Sequence, residues 1–163
     1  MSRSKVLAAL AGVSALAVFA TGVTVAQNAD IIKQRREAMR TIAGASTPPF
    51  KMTKGDTPFD LAAVQNALKV LQAEAAKFRT LFPDDSKTGP GTDAPARIWT
   101  DRAGFNAAID KWIADATATA AAIKDEATFK EVYPKFAGGC NNCHKSTDGF
   151  AISLQESFKK PRP

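Results

Sequence analysis

Apolar residues recur at spacings of three and four along most of this chain, the period of a helix with one buried face. From Asp30 onward Ile32, Arg35, Met39 and Ile42 fall on one such face. A longer stripe, Leu61, Val64, Leu68, Leu71, Ala75, Phe78 and Phe82, follows Asp60, a residue suited to an N-cap, and Pro83 predicts its end. A third helix is predicted from near Thr100 or Asp101, with Phe105, Ile109, Trp112, Ala116 and Ile123 inward. A fourth is signalled by Thr128 and Glu131 at capping-box spacing, with Phe129, Val132, Tyr133, Phe136, Cys140 and Cys143 inward and Pro134 kinking its first turns or delaying its start. Gly44 to Phe59, with Pro48-Pro49, and Pro83 to Arg97 read as loops. Neither a hairpin signal nor a fixed-period repeat is present. The pattern predicts an all-α fold, an antiparallel up-down-up-down four-helix bundle, with a break at Ser146 to Gly149 and a short packing segment at Phe150, Leu154 and Phe158.

One stripe position breaks the pattern. Arg35 lies among apolar residues, where an arginine either snorkels to the rim or meets a buried anion. Gly138-Gly139 weakens the fourth helix but permits close approach of backbone to a neighbour just before Cys140.

The N-terminus reads as an export signal. Arg3 and Lys5 precede an uncharged Ala-, Val- and Leu-rich stretch from Val6 to Ala20, and small residues reach Ala26, so residues 1–26 are expected to be removed. The domain is then 27–163, exported to the periplasm, and the mature protein is not membrane-spanning. The whole sequence holds 22 Lys+Arg against 16 Asp+Glu. Without Arg3 and Lys5 the balance is 20 against 16, about +4, and spread along the chain apart from Lys159-Lys160-Pro161-Arg162. No aromatic residues interleave with a basic stripe, so nucleic-acid binding is unsupported.

Both cysteines and the single histidine occur together, as Cys140-Asn141-Asn142-Cys143-His144. Cys-x-x-Cys-His is the attachment pattern of haem c, two thiols forming thioethers with the haem vinyl groups and the adjacent imidazole reaching iron. A structural zinc site wants four ligands and finds no second cluster here. A redox-active Cys-x-x-Cys is expected beside a βαβ pattern, which is absent. No methionine follows His144, and no other histidine exists, so an axial partner opposite His144 must lie upstream. Beyond the export signal, Met39 and Met52 are the thioether candidates. Met39 is preferred because it lies on the inward face of the first helix while Met52 falls in a predicted loop. Packing of Met39 over an open iron remains the other reading.

These features together resemble the class II c-type cytochromes, cytochrome c prime and its low-spin relatives. The resemblance spans residues 27–163 and rests on the terminal Cys140–His144 motif, on Arg35 and Met39 one turn apart, on Lys54-Gly55-Asp56-Thr57-Pro58-Phe59-Asp60, and on Ile98-Trp99-Thr100-Asp101. It implies one covalent haem c per chain near one end of the bundle, thioethers at Cys140 and Cys143, iron ligation by His144, Arg35 near a propionate, Trp99 near the haem, and Met39 facing the sixth position. A homodimer through the first two helices is ordinary in that family. Where many members carry an aromatic residue and an arginine after the histidine, this chain has Thr147 and Asp148.

The expected function is a periplasmic single-electron carrier, not an enzyme, with low-spin His/Met-ligated haem and redox proteins of an electron-transport chain as partners. The alternative is a five-coordinate cytochrome c prime type protein that binds NO or CO.

Overall fold

The computed structural model describes the backbone of residues 14–144 and of Gly149, with side chains from residue 28 onward. The first half of the anticipated export signal, the positions Thr147 and Asp148, and the packing segment at Phe150, Leu154 and Phe158 lie outside the described residues. Four long helices follow in order, joined by shorter ones: α1 (Ser14–Lys54), α2 (Leu61–Phe78), α3 (Arg97–Thr100), α4 (Arg102–Ala122), α5 (Glu126–Gly138) and α6 (Cys140–Cys143). A single 3₁₀ turn at Asp84–Ser86 interrupts the connection between α2 and α3. No strand occurs among the described residues. Neighbouring long helices run antiparallel, α1 against α2, α2 against α4 and α4 against α5. The predicted four-helix bundle is the observed architecture.

The first predicted loop is a correction. Helix α1 continues through Gly44, Pro48 and Pro49 to Lys54. The two prolines remove the amide donors to the Gly44 and Ala45 carbonyls, a loss that ordinarily breaks a helix. Packing outweighs it: Pro49 is fully buried and Met52, one turn on, lies in the core. Just upstream, the Ser46 and Thr47 hydroxyls donate to the Ile42 and Ala43 carbonyls at 2.8 and 3.0 Å, folding these side chains back onto the helix. The true stop is Gly55, at φ 77°, whose N–H donates to the Met52 carbonyl at 3.1 Å while Asp56 N–H reaches the Lys51 carbonyl at 2.9 Å. That pair of bonds is a Schellman motif, which needs a residue tolerant of positive φ.

Helix α2 begins as predicted, with the Asp60 carboxylate accepting from the Ala63 amide at 3.0 Å. It ends at Phe78 rather than at Pro83, the chain tightening through i to i−3 bonds at Thr80 and Leu81. Phe82 nevertheless stays buried beyond the helix, edge-on to Phe78, Phe105 and Trp99. Helix α4 starts where predicted, Asp101 accepting from Gly104 N–H at 2.9 Å. Helix α5 starts earlier than the Thr128–Glu131 spacing suggests. Asp125 is the cap and Thr128 its reciprocal partner, Thr128 N–H reaching the Asp125 carboxylate at 2.8 Å and the Thr128 hydroxyl accepting from Asp125 N–H at 3.1 Å. Pro134 lies inside this helix, on its exposed side.

The core divides in two. One cluster holds Met52, Val64, Leu68, Leu71, Ala116, Ile123, Phe129, Tyr133 and Phe136. The other holds Ala38, Ala75, Leu81, Phe82, Ile98, Phe105 and Ile109. Half-buried Trp112 packs against both.

Leu68 is wholly enclosed in the first cluster. Leu68→Ala is expected to destabilise the holoprotein by about 3 kcal/mol, through lost burial and the cavity left behind. Equilibrium denaturation checks this, and a loss below about 1 kcal/mol would contradict the packing described.

Candidate haem site

The attachment residues occupy a turn that the rest of the bundle does not cover. Phe129, Tyr133 and Phe136 bury the first part of α5, but from Ala137 to His144 no residue is buried. Helix α5 packs mainly on α4 and touches α1 much less. The last turns of the chain's described portion therefore stand off from the core. Cys140 and Cys143 lie at opposite ends of α6, three residues apart and so on one side of a helical turn. Both are free and half-buried. The His144 amide closes the turn on the Cys140 carbonyl at 3.2 Å.

Burial pushes both thiols above the usual cysteine range, and Cys143 raises Cys140 further. A dithiol working as a redox nucleophile has the opposite environment, one that lowers the thiol pKa. Among the described residues no group of three His, Cys, Asp or Glu gathers to hold a metal ion, so these side chains alone do not build a zinc site.

The first helix places Met39 and Arg35 differently from the simple stripe. Its deepest line runs through Ile32, Arg35 and Ala38, leaving Met39 half-buried at the flank. Phe50, about three turns further along α1, lies edge-on to Tyr133 of α5 with ring centroids 6.1 Å apart. Met39 thus falls on the side of α1 that faces α5. Because neighbouring helices are antiparallel, it also lies towards the end of the bundle where α5 gives way to α6. Met52, the other thioether candidate, is 8 % exposed and enclosed in the first core cluster. The predicted loop that set it aside does not exist, but its burial does so instead.

Arg35 is 5 % exposed. Its Nε donates to the Leu81 carbonyl, Nη1 to the Ser86 carbonyl at 3.1 Å and Nη2 to the Ser86 hydroxyl. The guanidinium lies over the Phe82 ring at 4.2 Å and near the Trp99 ring at 5.5 Å. Trp99 in turn donates its indole N–H to the Pro83 carbonyl at 3.2 Å. The structure so brings Arg35 and Trp99 together, and adds Ser86, a fully buried loop residue that no sequence signal marked. No carboxylate pairs with Arg35 among the described residues. Burial lowers its pKa to about 10, and the nearby charge of Arg102 adds to the effect.

This donor set fits a haem. Three of the five guanidinium N–H groups of Arg35 meet neutral acceptors, and two remain for a carboxylate such as a propionate. Two half-buried thiols and an adjacent imidazole would supply the attachment side, and a thioether on α1 lies on the side facing it.

A profile of the cytochrome c' family matches residues 30–146. Cytochrome c' of Rhodopseudomonas palustris is 39 % identical over 135 residues, covering 83 % of this chain and 92 % of the relative. Cytochrome c-556 of Agrobacterium fabrum is 32 % identical, covering 71 % and 78 % respectively. Among solved structures, cytochrome c' of Rhodopseudomonas palustris superposes with a TM-score of 0.71 at 38 % identity, over 77 % of this chain and 98 % of that one. The cytochrome c556 of the same organism gives 0.66 at 27 % identity, over 76 % and 97 %. A C-terminal Cys-x-x-Cys-His turn left uncovered by a four-helix bundle, with relatives of this extent, makes the chain a member of the cytochrome c' family, a c-type cytochrome with covalently attached haem c.

Proposed function

We propose that the protein is a periplasmic single-electron carrier whose haem iron is ligated by His144 and Met39. One observation carries this reading: Met39 lies half-buried on the α5-facing side of α1, at the end of the bundle where the attachment turn stands uncovered. When bound, the haem supplies an iron that gains or loses one electron.

The chain's own residues then have distinct tasks. Cys140 and Cys143 tether the group at its edge, so its orientation does not depend on affinity. His144, whose amide closes α6 on the Cys140 carbonyl, would supply its imidazole to the iron. Met39 would supply a neutral, polarisable sulfur, and a Met/His pair favours the reduced state more than a thiolate does. Arg35 would place positive charge beside the propionates, offsetting their charge and raising the potential. The aromatic cluster of Phe82, Trp99 and Phe105 excludes water from that side. With the iron held by both His144 and Met39, no position would be left for a substrate atom, and among the described residues no acid-base pair is placed to act on one. Export rests on the N-terminal pattern of Arg3, Lys5 and the apolar stretch to Ala20. No helix among the described residues is long and apolar enough to cross a membrane. The functional partners on this reading are redox proteins.

A second reading, an open sixth position that binds NO or CO, is favoured by the naming of the 39 % identical relative as a cytochrome c'. A more distant structural neighbour, cytochrome c' of Alcaligenes xylosoxidans, is described with NO bound to its ferrous form. Half-burial of Met39 is compatible with a side chain that only covers the iron.

Two outcomes separate these. Absorption spectra of the ferric and ferrous holoprotein are expected to be low-spin, and Met39→Ala should convert them to high-spin, lower the reduction potential and make CO binding to the ferrous protein fast. A wild-type spectrum that is already high-spin and unaffected by Met39→Ala would establish the second reading. Arg35→Met, which removes three hydrogen bonds to buried acceptors, is expected to cost about 2–4 kcal/mol in denaturation and to lower the potential while leaving the haem attached.

A further inference from the structure

Ser86 has a part in this site that neither the attachment motif nor the α1 stripe assigns. It closes the 3₁₀ turn Asp84–Ser86 and is wholly buried. A buried hydroxyl needs partners, and here each of its partners has a definite sense. Its single proton goes to the Pro83 carbonyl at 2.7 Å, which leaves the oxygen an acceptor, and Arg35 Nη2 donates to it. The Ser86 carbonyl accepts from Nη1 of the same guanidinium at 3.1 Å. One small residue thus grips both terminal nitrogens of the arginine. The Pro83 carbonyl that anchors its hydroxyl also takes the Trp99 indole N–H at 3.2 Å.

The same turn carries two carboxylates that it does not use for this purpose. Asp84 and Asp85 immediately precede Ser86, yet both are exposed, and Asp84 pairs with Lys87 at 3.0 Å with its side chain 86 % exposed. If Arg35 served only to tie α1 to the turn, a carboxylate in place of the Ser86 hydroxyl would bind it more strongly. The chain presents a neutral oxygen there instead. Arg35 is therefore held in a buried position with its charge uncompensated among the described residues, and the like charge of Arg102 acts against it. An arginine released from such a place carries its head to water.

We propose that Ser86 is a positioning residue for the haem: it acts through Arg35, fixing the guanidinium so that its uncompensated charge and its two remaining N–H groups are kept for a propionate. The Phe82 ring, 4.2 Å from the guanidinium, supports it from one face. The inference rests on Arg35 as the partner of a propionate and on haem attachment at Cys140 and Cys143, but not on ligation by Met39. A cation near the haem favours the reduced state, and its influence falls with distance, so a guanidinium that swings away leaves the potential lower.

The test is a double-mutant cycle read as the midpoint potential of the holoprotein at neutral pH. Ser86→Ala removes the hydroxyl alone, and the Pro83 carbonyl keeps the backbone N–H of residue 86 and the Trp99 indole as donors. This variant is expected to lower the potential in the same direction as Arg35→Met but by less, with the absorption spectrum unchanged. In the Arg35→Met background the same change should leave the potential where it is, because no guanidinium remains to be placed. A wild-type potential in Ser86→Ala beside a lowered one in Arg35→Met would overturn the assignment, even with a lowered melting temperature, and would leave the serine a residue of the fold alone. An equal drop in both backgrounds would also overturn it, since Ser86 would then act without Arg35. A wild-type potential in Arg35→Met would overturn it together with the reading of Arg35 on which it rests.

Discussion

The arrangement depends on how α5 is held. Its start is fixed by the reciprocal Asp125–Thr128 cap and by Phe129 and Tyr133, which are wholly enclosed by the other helices. In its continuation, from Ala137 through α6, no residue is fully buried. A helix secured at one end and less covered at the other leaves both cysteines and the histidine on a half-buried surface at the edge of the bundle. The flat, covalently tethered group of a c-type cytochrome completes such a surface, burying apolar area that the polypeptide leaves to water.

The second constraint is charge. Arg35 and Arg102 approach one another at the end of the bundle, Arg35 bonded to Leu81 and Ser86 and Arg102 to the Phe82 carbonyl at 2.6 Å. A buried cation without a carboxylate partner is costly, and for Arg35 the cost is reduced by neutral carbonyls and by the faces of Phe82 and Trp99. The same group of residues fixes the irregular chain between α2 and α4. Arg35 therefore serves the fold as well as the site, and its loss is expected to register in stability and in potential together.

Helix number, order and the caps at Asp60 and Asp101 were legible in the sequence because each depends on local chemistry that repeats along the chain. The attachment turn was legible for the same reason: five consecutive residues carry it. The extent of α1 was not, because Pro48-Pro49 is a strong local breaker whose effect is overridden by burial of Pro49 and Met52, a tertiary consequence. The cap of α5 was read three residues late, since Thr128 looks like a cap and is instead the partner of one. Ser86 carries no periodic signal at all, and its hold on Arg35 emerges only once α1 is seen packed against the turn that carries it. The position of Met39 was anticipated on the inward face, yet the buried line passes through Ala38, and this places the sulfur at the flank that looks towards α5.

The central claim is that the iron is bound between the end of the chain and the first helix, with the Met39 sulfur opposite His144. X-ray absorption fine structure at the iron edge of the purified ferric protein reads the nearest atoms directly. A sulfur neighbour alongside five nitrogens, lost in Met39→Ala, is the result this account predicts. Five nitrogens with no sulfur, unchanged in that variant, would contradict it.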